Sequence, residues 1–137
     1  MQIRTGTLDD KQAIKAFDCF GGDRPGALQS ERCLVAEIDG KVVGYVAFQR
    51  KYLIGRDFVE FLVVREGFRR QGVAIALLRA AEAKVSPGRL FISTGADNAQ
   101  MQALLAKDGW TSAGQIDGIT HGGGSELFFY RDLPAAE

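Results

Sequence analysis

One passage constrains this chain more tightly than any other: the apolar run "FVEFLVV" at 58–64, the basic, glycine-bearing "REGFRRQG" at 65–72, and "VAIALLRAAEAKV" at 73–85. A run so rich in β-branched and aromatic residues reads as a central strand covered on both faces, with Glu60 as its one ionisable member. Beyond the turn, Ala74, Leu77, Leu78 and Ala81 recur at i, i+3, i+4 and i+7, while Arg79, Glu82 and Lys84 fall elsewhere, which predicts an amphipathic helix over 72–84. A strand that passes straight into a helix leaves the first N–H groups of that helix unpaired at the strand's end. The macrodipole adds about half a positive charge there, and Arg69 and Arg70 bring full charges, so an anion, and a phosphate or diphosphate above all, is the natural occupant.

The rest of the chain alternates in the same way. Gln2 to Thr7 reads as a first strand, and "TLDDKQAIKAF" as a helix with Thr7 or Asp9 as its cap. The glycine- and proline-rich stretch 19–31 has no period and reads as a mobile loop with room for one helical turn. "CLVAEI" and "VVGYVAF" flank Asp39-Gly40, a strong hairpin signal. "RLFIST" predicts a buried strand, and "DNAQMQALLAKDGW" a helix with Gly109 as its stop. "TSAGQIDGI" and "SELFFYRDL", separated by "THGGG", form a closing hairpin. No linker or repeat interrupts these 137 residues, so a single domain, 1–137, is expected.

Charge narrows the function classes. Seventeen basic side chains balance seventeen acidic ones, which argues against a dedicated nucleic-acid binder. The N-terminus lacks the pattern of a secretion signal and no apolar run approaches the roughly 18 residues of a membrane span, so a cytoplasmic protein with no membrane partner is expected. Cys19 and Cys33 form no CxxC and have no His or carboxylate cluster at ligand spacing, so reduced buried thiols and no metal are expected.

The phosphate compound can be narrowed by elimination. Gly67 and Gly72 have Walker A spacing, yet Val73 and Ala74 stand where Lys and Ser/Thr would hold a terminal phosphate and magnesium. GxGxxG is absent after either candidate strand. A diphosphate held by main-chain amides without a metal remains, which suits the pyrophosphate of coenzyme A.

At this point "VVREGFRRQGVA" resembles the signature of the GNAT superfamily of acyl-CoA-dependent N-acyltransferases, [QR]-x-x-G-x-[GA], read here as Arg69, Gly72 and Ala74. Asn98, Lys107, Gly109 and Trp110 are similar to that family's second motif, and the resemblance spans essentially the whole chain. It implies an α/β (α+β) fold: a mixed, mostly antiparallel sheet of about six or seven strands with helices on both faces, splayed between the two central parallel strands. It also implies acetyl-CoA as co-substrate, with amides of Arg70, Gln71, Gly72, Val73 and Ala74 around the pyrophosphate and main-chain groups of Leu62, Val63 and Val64 along the pantetheine arm. An N–H near Leu62 becomes the oxyanion donor, and Asn98 a second contact with the cofactor. The last strand of such folds is a common dimer edge, so a homodimer is compatible with this reading.

The reaction then expected is acetyl transfer to a primary amine of a small-molecule or peptide acceptor. An amine with pKa near 10.4 requires about 4–5 kcal/mol to lose its proton at pH 7, so a base is useful. Glu60, two residues before Leu62 and expected on the same face, is the candidate; the alternative is that it sits at the solvated end of the strand or pairs with Arg56 or Arg65. Many similar proteins place a tyrosine four residues before the second-motif glycine, to protonate the departing thiolate; here Leu105 stands there. That departure keeps a non-catalytic acyl-CoA sensor or partner subunit as the competing reading, and leaves Tyr130 as a substitute acid or a core residue. "HGGGS" at 121–125 resembles a lipase oxyanion loop, but no GxSxG accompanies it, so His121 reads as a loop residue. The stretches 19–31, 50–57 and 117–124 are the expected specificity loops.

Overall fold

The computed structural model describes residues 1–18 and 24–135. Its strands are β1 (Gln2–Thr5), β2 (Cys33–Ile38), β3 (Lys41–Leu53), β4 (Arg56–Val64), β5 (Gly88–Gly95), β6 (Thr111–Ile116) and β7 (Glu126–Leu133). The helices are α1 (Lys11–Lys15), α2 (Arg24–Gln29), α3 (Val73–Glu82) and α4 (Ala99–Lys107), with a 3-10 turn at Leu8–Asp10. The strands follow the order β1-β2-β3-β4-β5-β7-β6, in a sheet that is mostly antiparallel with one parallel pair. By contact density the chain divides into two compact units, Met1–Gln49 with Val59–Val85, and Arg50–Phe58 with Ser86–Glu137.

In the first unit β1 and β2 pair antiparallel, with Arg4 opposite Val35, and β2 pairs with β3. The β2–β3 turn is the expected one: Asp39 (φ +52°) and Gly40 (φ +75°) both take the left-handed conformation that matches the twist of a two-residue hairpin. One sheet face carries Cys33, Val35, Val42, Tyr45, Ala47 and Val63, packed with Ile14 of α1 and Ala27 and Leu28 of α2. The opposite face receives α3 at Gly44, where a Cβ would lie 3.0 Å from the Val63 carbonyl oxygen and 3.2 Å from Leu77 and Val73. The helix therefore sits so close to β3 that a larger residue at 44 would require its neighbours to give way by a few tenths of an ångström. Val73, Leu77, Leu78 and Ala81 are its buried stripe. Helices thus cover both faces of this unit, as the resemblance implied.

The corner after β1 is held electrostatically. Arg4 donates two hydrogen bonds to the Asp10 carboxylate, both 2.8 Å, and a third and fourth to Glu37 Oε1, while Asp10 also accepts the Thr7 N–H at 2.8 Å. The Arg4 guanidinium holds the Asp10 carboxyl below its ordinary range.

In the second unit β7 lies between β5 and β6, antiparallel to both. The last strand is therefore interior, and β6 is the edge. Phe58 stacks on Tyr52 and Phe128, with ring centroids 6.1 and 6.4 Å apart.

Three segments differ from the sequence reading. Residues 50–57 are not a loop: β3 runs to Leu53 and β4 starts at Arg56, leaving only Ile54-Gly55 between them. The hidden element there is Asp57, buried, whose carboxylate accepts the N–H of Lys51 and of Ser86, both at 2.9 Å. It satisfies the Lys51 amide where the backbone turns left-handed (φ +50°). Within 19–31, α2 is longer than one turn, because Ala27 and Leu28 anchor it in the core. The expected loop character of 19–23 and the thiol state of Cys19 lie outside the described residues; Cys33 is buried and forms no disulfide with a described residue.

Candidate functional site

The anion cradle suggested by 65–74 lies wholly within the first unit, between β4 and α3. The strand ends at Val64, and the Arg65 N–H donates to the Val43 carbonyl at 2.7 Å, anchoring the exit to β3. A turn closed by Phe68 N–H on the Arg65 carbonyl (3.0 Å) then carries the chain outward. Gly67 (φ +93°), Arg70 (φ +63°) and Gly72 (φ +81°) all take positive φ. For Gly67 and Gly72 this conformation is free of strain.

Gly72 is the N-cap of α3 and has no capping side chain, and no acidic residue occupies the first turn. The Ala76 N–H makes the first helical bond, to the Gly72 carbonyl at 3.0 Å. The N–H groups at the head of the helix are thus available to an outside acceptor, with the positive macrodipole end behind them. Arg69, Arg70, Gln71 and Gly72 are exposed, while Val73 is buried and fastens the helix to the sheet. Two side chains brace the loop from within: Arg69 Nε donates to the Val64 carbonyl at 3.1 Å, and Gln71 Nε2 to the Gly67 carbonyl at 3.4 Å. Arg69 therefore acts on the loop's shape as well as its charge, and the Val64 carbonyl is already engaged. Lys41 Nζ lies 5.9 Å from the Phe68 ring centre, another cation near the loop.

Along β4, Leu62 and Val63 are buried and Val64 is half-buried. Glu60 is half-buried, and among the described residues its carboxylate has no ion-pair partner, neither Arg56 nor Arg65. Arg65 instead lies over the Phe17 ring, 5.9 Å from its centre.

The second-motif residues lie in the other unit. Asn98 caps α4 with its side-chain oxygen, which accepts the Met101 N–H at 3.1 Å. Only its amide nitrogen is left for another contact. Leu105 is fully buried in α4, so that position offers no polar group. Trp110 is buried with Nε1 on Asp108 (3.0 Å), and Arg131 also donates to Asp108 at 2.8 Å, locking the end of α4. Tyr130 is half-buried with the Arg89 guanidinium 3.9 Å from its ring centre. The Ser93 hydroxyl donates to Glu126 at 2.8 Å, a cross-strand pair the sequence reading missed because it depends on the β5–β7 register. Among the described residues no group of three or more His, Cys, Asp or Glu is placed to hold a metal.

With this geometry in place, the comparisons with known proteins name a class. The model of the acetyltransferase (GNAT) family matches residues 7–110, and the chain belongs to that family. Its fold is similar to an acetyltransferase of the GNAT family from Bacillus cereus (TM-score 0.84, 22% identity, 96% of each chain covered). It is also similar to the ribosomal-protein-S18-alanine N-acetyltransferase of Escherichia coli (TM-score 0.77, 19% identity, covering 99% of this chain and 96% of that one). A third is Arabidopsis thaliana Naa50 in complex with the bisubstrate analogue CoA-Ac-MVNAL (TM-score 0.78, 15% identity, covering 96% and 98%). At these identities the likeness carries the fold. No curated protein matches the chain.

Proposed function

We propose that this protein transfers an acetyl group from acetyl-CoA to a primary amine of a small-molecule or peptide acceptor. The observation that carries the reading is the uncapped, acid-free N-terminus of α3 behind Gly72, flanked by Arg69 and Arg70. A diphosphate satisfies those amides and neutralises both guanidiniums without a metal. Amides of Arg70 to Ala74 hold the pyrophosphate, main-chain groups of Leu62, Val63 and Val64 guide the pantetheine arm, and the Asn98 amide nitrogen provides a further contact.

In the reaction the neutral amine attacks the thioester carbonyl carbon, forming the C–N bond and a tetrahedral oxyanion. The N–H near Leu62 stabilises that oxyanion. Glu60 takes the amine's proton, directly or through water, and its lack of an ion-pair partner among the described residues leaves it available for this role. Collapse breaks the C–S bond. The departing thiolate, of ordinary pKa near 8.5, takes its proton from water or from the ammonium intermediate, because Leu105 offers none.

Thiol release from acetyl-CoA over a panel of amines and N-terminal peptides tests the activity. Turnover of one acceptor class supports it; coenzyme A binding without turnover of any amine supports the second reading, an acyl-CoA sensor, which the buried Leu105 favours. Unchanged pH–rate behaviour in Glu60→Gln would remove Glu60 as the base.

A further inference from the structure

The two faces of β5 and β7 are finished differently. Side chains alternate along each strand and cross-strand partners share a face, so the register Phe91↔Tyr130 and Ser93↔Phe128 gathers Phe91, Phe128 and Tyr130 on one side. Leu90, Ile92 and Phe129, on the other side, are buried. The three aromatic residues stay half-buried, with the Phe91 and Tyr130 ring centres 5.8 Å apart. An aromatic face left half open has apolar area to offer a ligand.

A groove of about 510 Å³, within the size range of small-ligand sites, lies in this unit. Its apolar lining is Leu53, Ile54, Phe91, Ala113, Ile116 and Phe128; the charged side chains that line it are Arg56 and Arg89, and among the described residues no acid does. Ile54 is 97% exposed and holds φ +50°, a left-handed turn position that suits Asn or Gly and penalises a β-branched side chain. Local sterics give no reason for isoleucine there; an apolar wall for the groove does. The two arginines differ. Arg89 donates to both oxygens of Asp132, at 2.9 and 3.2 Å, and its guanidinium lies 3.9 Å from the Tyr130 ring centre, so its charge is matched. Arg56 makes no hydrogen bond or ion pair among the described residues, and acts on the Asp132 carboxyl only through space.

We propose that this groove, which the acetyl transfer proposed above does not use, binds a small organic acid: one carboxylate on an aromatic body. The carboxylate pairs with Arg56, whose planar guanidinium fits it with two parallel hydrogen bonds. The ring lies against Phe91 and Phe128, with Ile54 beside it. Charge and apolar area together select this class. An inorganic anion would leave the apolar lining in water, a neutral aromatic would leave Arg56 unmatched, and an organic cation would be repelled by it. One carboxylate suffices, because Asp132 already matches Arg89.

Amide-proton NMR titration of the full chain with 3-phenylpropionate, and with its uncharged analogue 3-phenylpropionamide, tests this. The acid is expected to bind with Kd on the order of 0.5 mM and the amide about fivefold more weakly, with shifts centred on Ile54, Phe91 and Gly114. Arg56→Gln removes that preference by weakening the acid alone; unchanged binding of the amide shows that the groove is still formed. Ile54→Asn weakens both ligands by about threefold. Equal affinity for the two ligands, a preference that survives Arg56→Gln, no saturable binding of the acid up to about 5 mM, or shifts centred on Val73 and Ala74 overturns the proposal.

Discussion

Helices α3 and α4 each follow a strand, and they resolve the same physical problem in opposite ways. Each has amide groups at its head with no partner in the helix. At α4 the side chain of Asn98 turns back and accepts the Met101 N–H, so the helix start is partly closed by its own residue. At α3 the corresponding position is Gly72, with no side chain to offer and no acid in the first turn, and two exposed arginines stand just before it. The turn before α1 is closed as well, by the Asp10 carboxylate on the Thr7 N–H. Self-capping stabilises the helix; an uncapped start leaves its amides open to an outside acceptor.

The strongest way to break this contrast is to give α3 the acid it lacks. Gly72→Asp places a carboxylate where the pyrophosphate is proposed to lie, and Asp tolerates left-handed φ better than most residues. Calorimetry should show coenzyme A affinity falling about a hundredfold, or about 2.7 kcal/mol; a loss under about threefold would mean that the open helix start is not the cradle. Next in size is Asp10→Asn, which removes charge from a carboxylate held by Arg4 and should cost about 2 kcal/mol in urea unfolding at pH 7. Since the folded pKa of Asp10 is depressed, its stabilisation is present above the unfolded value near 3.9 and is lost as pH falls through the lower folded value. The Asn variant should therefore show a flatter acid limb below about pH 4, with coenzyme A affinity unchanged.

Arg70→Ala sharpens the charge component. A rise in Kd of about tenfold at low salt should shrink at high ionic strength, because an exposed guanidinium is screened; a salt-independent loss would point to loop distortion. The smallest effect belongs to α4. Asn98→Ala should destabilise the fold by about 1 kcal/mol, while Asn98→Asp keeps the cap and removes only the amide donor. A drop in coenzyme A affinity common to both variants would separate Asn98 as a ligand contact from Asn98 as a cap.

Much of the first unit was legible because its signals are local. The Asp39-Gly40 turn, the apolar stripe of α3 and the glycines of 65–72 each act within a few residues, and backbone sterics and helical periodicity leave little choice. Where the sequence reading failed, the cause lay at a distance. Residues 50–57 looked like a loop because Ile54-Gly55 is an unusual hairpin turn and because Asp57 reaches Ser86, 29 residues away. The Tyr45 hydroxyl on Asp18 (2.7 Å), from the middle of β3 to the segment just after α1, likewise has no signature in either segment.

The sequence by itself determined the open, arginine-flanked helix start proposed as the anion cradle, and the family, since both rest on which residue types stand at fixed spacing beside a strand and a helix: glycine for positive φ, arginine for charge, and no lysine or hydroxyl for a metal-bound triphosphate. Only the tertiary structure decided which strand is the edge. β7 comes last in the chain but lies between β5 and β6, because strand order is set by which apolar faces and backbone ladders pair across long separations, and no local pattern in "TSAGQI" records that its outer edge stays open.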